Sequence, residues 1–140
     1  MERYRILPHT ADAKFEAFGR TLEEAFGNAA LALASLMWDW AAVTPSLSRL
    51  VRIRGRDHEQ LLVKFLGEVL YLFETQGFLL AGVSGLSIRK SDKGTDLKAE
   101  LRGDDLSHGY AFHAGVKAIT YNEMSISRDD GVRLQVVVDV

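Results

Sequence analysis

Apolar and polar positions along the chain follow two periods, and each period predicts a kind of element. Tyr4 to Leu7 is a short predicted strand, stopped by Pro8, which donates no backbone hydrogen bond. Lys14 to Phe18 alternates charged and apolar side chains, as a half-buried strand does, and Gly19 breaks it. Thr21-Leu22-Glu23-Glu24 then has the form of a capping box, whose hydroxyl and carboxylate satisfy orphan amides at a helix start. Leu22, Phe26, Ala29, Ala30, Leu33, Met37 and Trp40 follow at helical spacing. A first helix is predicted to run to about Trp38 or Trp40, and Pro45 marks that it has ended.

Leu50 to Arg54 reads as a strand with Val51 and Ile53 on one face and Arg52 and Arg54 on the other. Asp57 is a good N-cap for a second helix, with Gln60 three residues on and Gly77 placed to close it in a left-handed conformation. Its broad apolar face comprises Leu61, Leu62, Phe65, Leu66, Val69, Leu70, Leu72 and Phe73. The remainder reads as strands. Phe78 to Ile88 is bent or bulged at Gly82 and Gly85, and Ser91 to Gly94 is a turn. Leu97 to Arg102 has Leu97, Ala99 and Leu101 inward, and Lys117 to Tyr121 is a short strand. Met124 to Arg128 and Val132 to Val138 flank the hairpin turn Asp129-Asp130-Gly131. Gly103 to Gly115 shows no period and reads as an irregular loop. The order ββαβαβββββ predicts a single α+β domain over residues 1–140, with two amphipathic helices packed on a mostly antiparallel β-sheet.

Composition narrows the function classes. Seventeen basic against nineteen acidic residues leave no global field, so charge alone does not imply nucleic acid. The chain has no cysteine, which excludes disulfides, zinc–thiolate sites and cysteine nucleophiles. No basic-then-apolar leader opens it and no apolar run is long enough to span a membrane, so a cytoplasmic protein is expected. Neither a phosphate-binding Gly-x-x-x-x-Gly-Lys loop nor a Gly-x-Gly-x-x-Gly fingerprint occurs, so no nucleotide site of its own is expected.

The candidate chemistry lies at the two ends. Asp12 follows a polar cluster, His9-Thr10-Ala11, and Asp139 is followed by Val140 with its terminal carboxylate. If the ends meet, three carboxylates converge, and such a group repels itself unless it shares a cation or a proton. The plainer reading makes Asp12 the end of a turn and Asp139 a solvated residue. His9 either offers a ring nitrogen to a metal or hydrogen-bonds and shapes the turn; the oxygen-rich surroundings favour magnesium, calcium or manganese over an imidazole-rich site. His58, His108 and His113 read as surface histidines. Arg49, Arg52, Arg54 and Arg56 form a basic stripe that either faces a phosphate backbone or is a solvated sheet face. Lys117 either meets an anionic partner or snorkels at the surface. Trp38 and Trp40 cannot easily share one helix face, so one of them is a weak pointer to a partner surface.

Taken together, the opening His9-Thr10-Ala11-Asp12, the capped helix from Thr21, the second helix through Glu68-Val69-Leu70-Tyr71-Leu72-Phe73, the segment Val116-Lys117-Ala118-Ile119-Thr120-Tyr121 and the ending Val138-Asp139-Val140 resemble the archease family. The resemblance covers nearly the whole chain. Two positions depart from the family pattern: Ala13-Lys14 stands where Ile-Gly is usual, and Asn122 where a histidine usually follows the tyrosine. The resemblance implies a protein cofactor with no catalysis of its own, supporting an RtcB-type tRNA-splicing RNA ligase in its guanylylation and repeated turnover. It implies a divalent metal, calcium by the family's pattern, at Asp12, Asp139 and Val140. Lys117 and His9 are the implied partner-activating residues, and tRNA is met only through the ligase. A general chaperone or adaptor, an RNA-binding module using the arginine stripe, and a metal-dependent enzyme are the other classes the sequence leaves open.

Overall fold

The computed structural model describes residues 1–9 and 12–140. Among the described residues the order is β1 (Tyr4–Leu7), β2 (Ala13–Gly19), α1 (Leu22–Ser35), β3 (Leu47–Gly55), α2 (His58–Gln76), β4 (Phe78–Ser91), β5 (Gly94–Asp105), β6 (Ala118–Ser127) and β7 (Val132–Asp139). Short 3-10 turns lie at Trp40–Ala42 and Leu106–His108. The strands form two sheets, ordered β1-β2-β7-β6 and β3-β5-β4, with every pairing antiparallel. The α+β class holds, with two sheets where the sequence pattern implied one.

Both helices touch both sheets. That explains why α1 is apolar nearly all round, with Ala25, Phe26, Ala29, Ala30, Leu31, Ala32, Leu33 and Ala34 all buried, whereas α2 keeps one wet side. Phe15, Phe26, Trp38, Phe65, Leu79 and Leu80 fill the space between. The caps work as their sequence suggests. Thr21 accepts from the Glu24 amide at 3.1 Å, and Glu24 reaches back to the Arg20 amide rather than to that of Thr21. Asp57 accepts from the Gln60 amide at 2.8 Å, and Gly77 takes φ +65° to end α2.

Four expectations need correction. First, α1 stops at Ser35, because Trp38 leaves the helical path to bury its indole and donate to the Leu80 carbonyl at 2.9 Å. Second, neither tryptophan is a bare surface group: Trp38 is fully buried, and Trp40 is half-buried, donating to the Tyr4 hydroxyl beneath the Arg3 guanidinium. Third, the two short strands expected on either side of Asn122 are one strand, β6, whose register on β7 breaks between Thr120 and Ser125. Lys117 falls just before it. Fourth, β5 continues to Asp105 and Leu106–His108 forms a helical turn, so the region from Gly103 is only partly irregular.

Candidate functional site

Strand register brings the chain ends together. The β2–β7 ladder pairs Gly19 with Val132 and ends at Ala13 opposite Val138. Asp12 is the residue just before Ala13 and Asp139 the residue just after Val138, so both lie at this end of the ladder. Val138 points into the core, so Asp139 lies on the sheet face away from it, since side chains alternate along a strand. On the other side of β7, Ala118 pairs with Asp139, and the Lys117 amide donates to the Asp139 carbonyl at 2.7 Å. Asp12 is half-buried, while Asp139, Val140 and Lys117 are exposed. Thr10 and Ala11, between His9 and Asp12, lie outside the described residues.

A second group on the same sheet was not visible as a unit in the sequence. His9 Nε2 lies 3.0 Å from Glu123 Oε2, and Lys14 Nζ lies 3.3 Å from Glu123 Oε1. A carboxylate only accepts, so this contact assigns the proton to Nε2 of His9. Lys14 is on β2 and Glu123 on β6, with β7 between them, so the ion pair crosses Val137, the β7 residue opposite Lys14. Val137 is fully buried although it faces away from the main core. Glu123 takes φ +53° in the interrupted stretch of β6, and Gln135 donates to its carbonyl at 2.7 Å. The hydrogen bond from His9, then that from Lys14, hold the Glu123 carboxyl below its usual range. This clamp ties the segment before Asp12 to the strand beside Asp139. In the sequence Glu123 falls between two short predicted strands, and nothing there links it to His9 or Lys14.

Lys117 is positioned by a third network. Asp104 is buried and accepts from the Tyr110 hydroxyl at 2.7 Å and from the Asp105 amide at 2.8 Å, with His108 Nδ1 at 2.8 Å. Tyr110 in turn accepts from the Thr44 amide, and the His113 amide donates to the Met37 carbonyl. The segment leading to Lys117 is thereby pinned to the core. The Tyr110 hydrogen bond foremost, then the Asp105 amide, pull the Asp104 carboxyl down to about 2. A carboxyl depressed on folding stabilises the protein above its unfolded value, 3.8, and that stabilisation fades as pH falls toward 2. Thermal melting followed from pH 5 downward is therefore expected to fall less steeply in Asp104→Asn than in wild type across that window, where pH 5 marks about the onset of carboxylate loss. Parallel curves would show that Asp104 titrates as an ordinary surface group.

The histidines outside the clamp do not gather. His108 sits on Asp104, and His58 is half-buried with its Nδ1 2.8 Å from an Arg128 guanidinium nitrogen, not free toward solvent as expected. Among the described residues no group of three or more His, Cys, Asp or Glu side chains is arranged to hold a metal. The oxygen donors Asp12 and Asp139 are a hard pair, so a divalent ion here would need further oxygens from Val140, the main chain, water or a partner. The arginine stripe also divides: Arg49 turns to Gln76 and the Phe78 ring, Arg56 leans on Asp57, and Arg52 and Arg54 face out from β3. No helix among the described residues is long and apolar enough to cross a membrane.

Comparison with known proteins identifies the family and the fold. The sequence profile described as the archease protein family matches residues 4–140. The protein archease of Methanosarcina barkeri is 37% identical over 142 aligned positions, covering 99% of this chain and 97% of its own. That of Pyrobaculum neutrophilum is 42% identical, covering 98% and 95%. The solution structure of Methanobacterium thermoautotrophicum protein 1598 superposes with a TM-score of 0.85 at 32% identity over 100% of both chains.

Proposed function

The chain belongs to the archease family, and from that premise we propose that it is a protein cofactor that activates an RtcB-type RNA ligase, without catalysing a reaction itself. The observation that supports the reading is the β2–β7 ladder, whose last pair is Ala13 with Val138, so that Asp12 and Asp139 follow at the same sheet end, with the Lys117 amide bonded to the Asp139 carbonyl. Two carboxylates at one sheet end, Asp12 half-buried and Asp139 exposed, form an acidic point that a ligase active-site mouth can receive. Asp12, Asp139 and Val140 would hold a divalent cation, calcium by the family's pattern; such an ion supplies charge neutralisation for a triphosphate. The chain's own residues do the positioning. The His9–Glu123–Lys14 clamp fixes the approach to Asp12, and the Lys117 amide fixes the Asp139 backbone. Lys117 is exposed and has no ion-pair partner among the described residues, leaving it available to an anionic group of the ligase. The nucleotide and the covalent chemistry belong to the ligase, and tRNA is reached only through it.

The test is single-turnover guanylylation of a purified RtcB-type ligase, with and without this protein. Wild type is expected to raise the rate; Asp12→Ala and Asp139→Ala are expected to lose the increase, by more than about tenfold, the scale of losing a metal-neutralised charge. Both variants should melt close to wild type, because neither side chain is buried. Stimulation by either variant at the wild-type level would sink the acidic-site mechanism. No stimulation by wild type would sink the ligase reading.

A further inference from the structure

The outer face of the three-stranded sheet carries a charge pattern that the fold does not need. Register aligns Arg54, Asp96 and Arg89 in one row across β3, β5 and β4, and Arg52, Lys98 and Ser87 in the next. These six positions hold four cations and one carboxylate, on a chain whose total charge is negative. The carboxylate is already taken: Arg54 grips Asp96 through two nitrogens, at 2.6 and 3.2 Å. Arg52, Arg89 and Lys98 remain exposed and have no ion-pair partner among the described residues. They line a shallow hollow of about 540 Å³ together with Ile53, Arg54 and Ser87.

Stability does not account for the arrangement. Arg52 stands directly opposite Lys98, and like charges so placed repel. Protection of a sheet edge explains charges on β3 and β4 but not Lys98, which is on the central strand. Residues two apart on a strand are separated by about 6.6 Å, so the cations form a lattice rather than a point. Arginine forks suit phosphate oxygens, and the two rows hold no aromatic ring on which a base could stack.

We propose that this face binds the phosphodiester backbone of single-stranded RNA, without sequence preference, through Arg52, Arg89 and Lys98. The choice of RNA over an acidic protein rests on the ligase reading, which places RNA ends beside this protein; the cationic site itself does not. The face lies on the other sheet from Asp12 and Asp139, so one molecule can present an acidic end to the ligase and a basic face to RNA.

The test is anisotropy of an end-labelled oligouridylate titrated with the full chain over a range of salt. Three phosphate contacts predict a logarithmic salt slope of about 2, at about 0.7 per contact. The double variant Arg52→Gln/Lys98→Gln is expected to lose about 1.4 of that slope and at least about tenfold in low-salt affinity. It should melt no lower than wild type, since a repulsive pair has gone; a clear fall would mean that these cations serve the fold and would overturn the proposal. Polyglutamate that displaces the RNA at equal charge concentration would also overturn it, in favour of an acidic protein partner. RNA-free guanylylation with the double variant should match wild type. Stimulation by wild type without RNA binding defeats this proposal alone; RNA binding lost in the variant, without stimulation, defeats the ligase reading alone.

Discussion

Trp38→Ala is expected to lower the free energy of unfolding by about 3–5 kcal/mol, the range for removing a large buried aromatic. The indole is fully buried, and its N–H satisfies the Leu80 carbonyl at 2.9 Å. Truncation therefore opens a cavity and orphans a buried acceptor together. It also removes the inner member of an aromatic chain. Trp38 packs on Phe73 with centroids 4.9 Å apart, and Phe73 stacks on Phe112 at 5.2 Å, within the segment that leads to Lys117. Against a total stability of about 5–15 kcal/mol this is a large share. Urea unfolding should show a lower midpoint with an unchanged slope, and Trp38→Phe should recover most of the packing but not the hydrogen bond. A Trp38→Ala midpoint near that of wild type would show that α1 does not depend on this indole to end where it does.

The same residue shows where sequence reading reaches its limit. Helix starts are local: Thr21 and Asp57 bind amides three residues away, so a short window contains the whole interaction. The end of α1 is not local. Met37 and Trp40 keep the helical period, yet the chain departs at Ser35 because Trp38 finds Leu80, forty-two residues further on. Antiparallel strands were legible from alternation, but not their division into two sheets, which depends on how α1 is covered from both sides. At the candidate site, Asp12 and Asp139 were legible as residue types at the chain ends, and only the β2–β7 register brings those ends to one end of the same sheet. The clamp of His9, Lys14 and Glu123 was hidden, since Glu123 is more than a hundred residues from either partner and sits where β6 loses register. The stripe of four arginines misled in the opposite way: adjacent in sequence, it divides between the inner face of β3 for Arg49, the outer face for Arg52 and Arg54, and the turn after the strand for Arg56, and the outer pair is joined by Lys98 and Arg89 from neighbouring strands.

Gly103→Ala is expected to be about as damaging as the loss of Trp38, for a different reason. Gly103 is buried in β5, the central strand of its sheet, between Leu47 on one side and Leu80 on the other. A Cβ built there would overlap the Leu79 carbonyl and come within 3.0 Å of the Phe78 ring. The obstacle is backbone, so no side-chain rotation relieves it. The crowding belongs to the fold, because β4 shifts register between Leu80 and Gly82 and brings its main chain across β5 at this point. Forcing the strands apart here would strain the following residue, Asp104, whose carboxylate holds Tyr110 and His108. A cost of at least about 3 kcal/mol follows, since overpacking against fixed backbone lies at the severe end of its range. In a chain of this size that lowers the melting temperature by about 10 °C. Gly115→Ala is the matched comparison, because Gly115 is exposed with nothing within 4 Å of a built Cβ, and it should melt within about 2 °C of wild type. If the two variants melted together, β4 and β5 would be able to separate freely at Gly103, and the placement of the Asp104 network, with the approach to Lys117 that it pins, would need another cause.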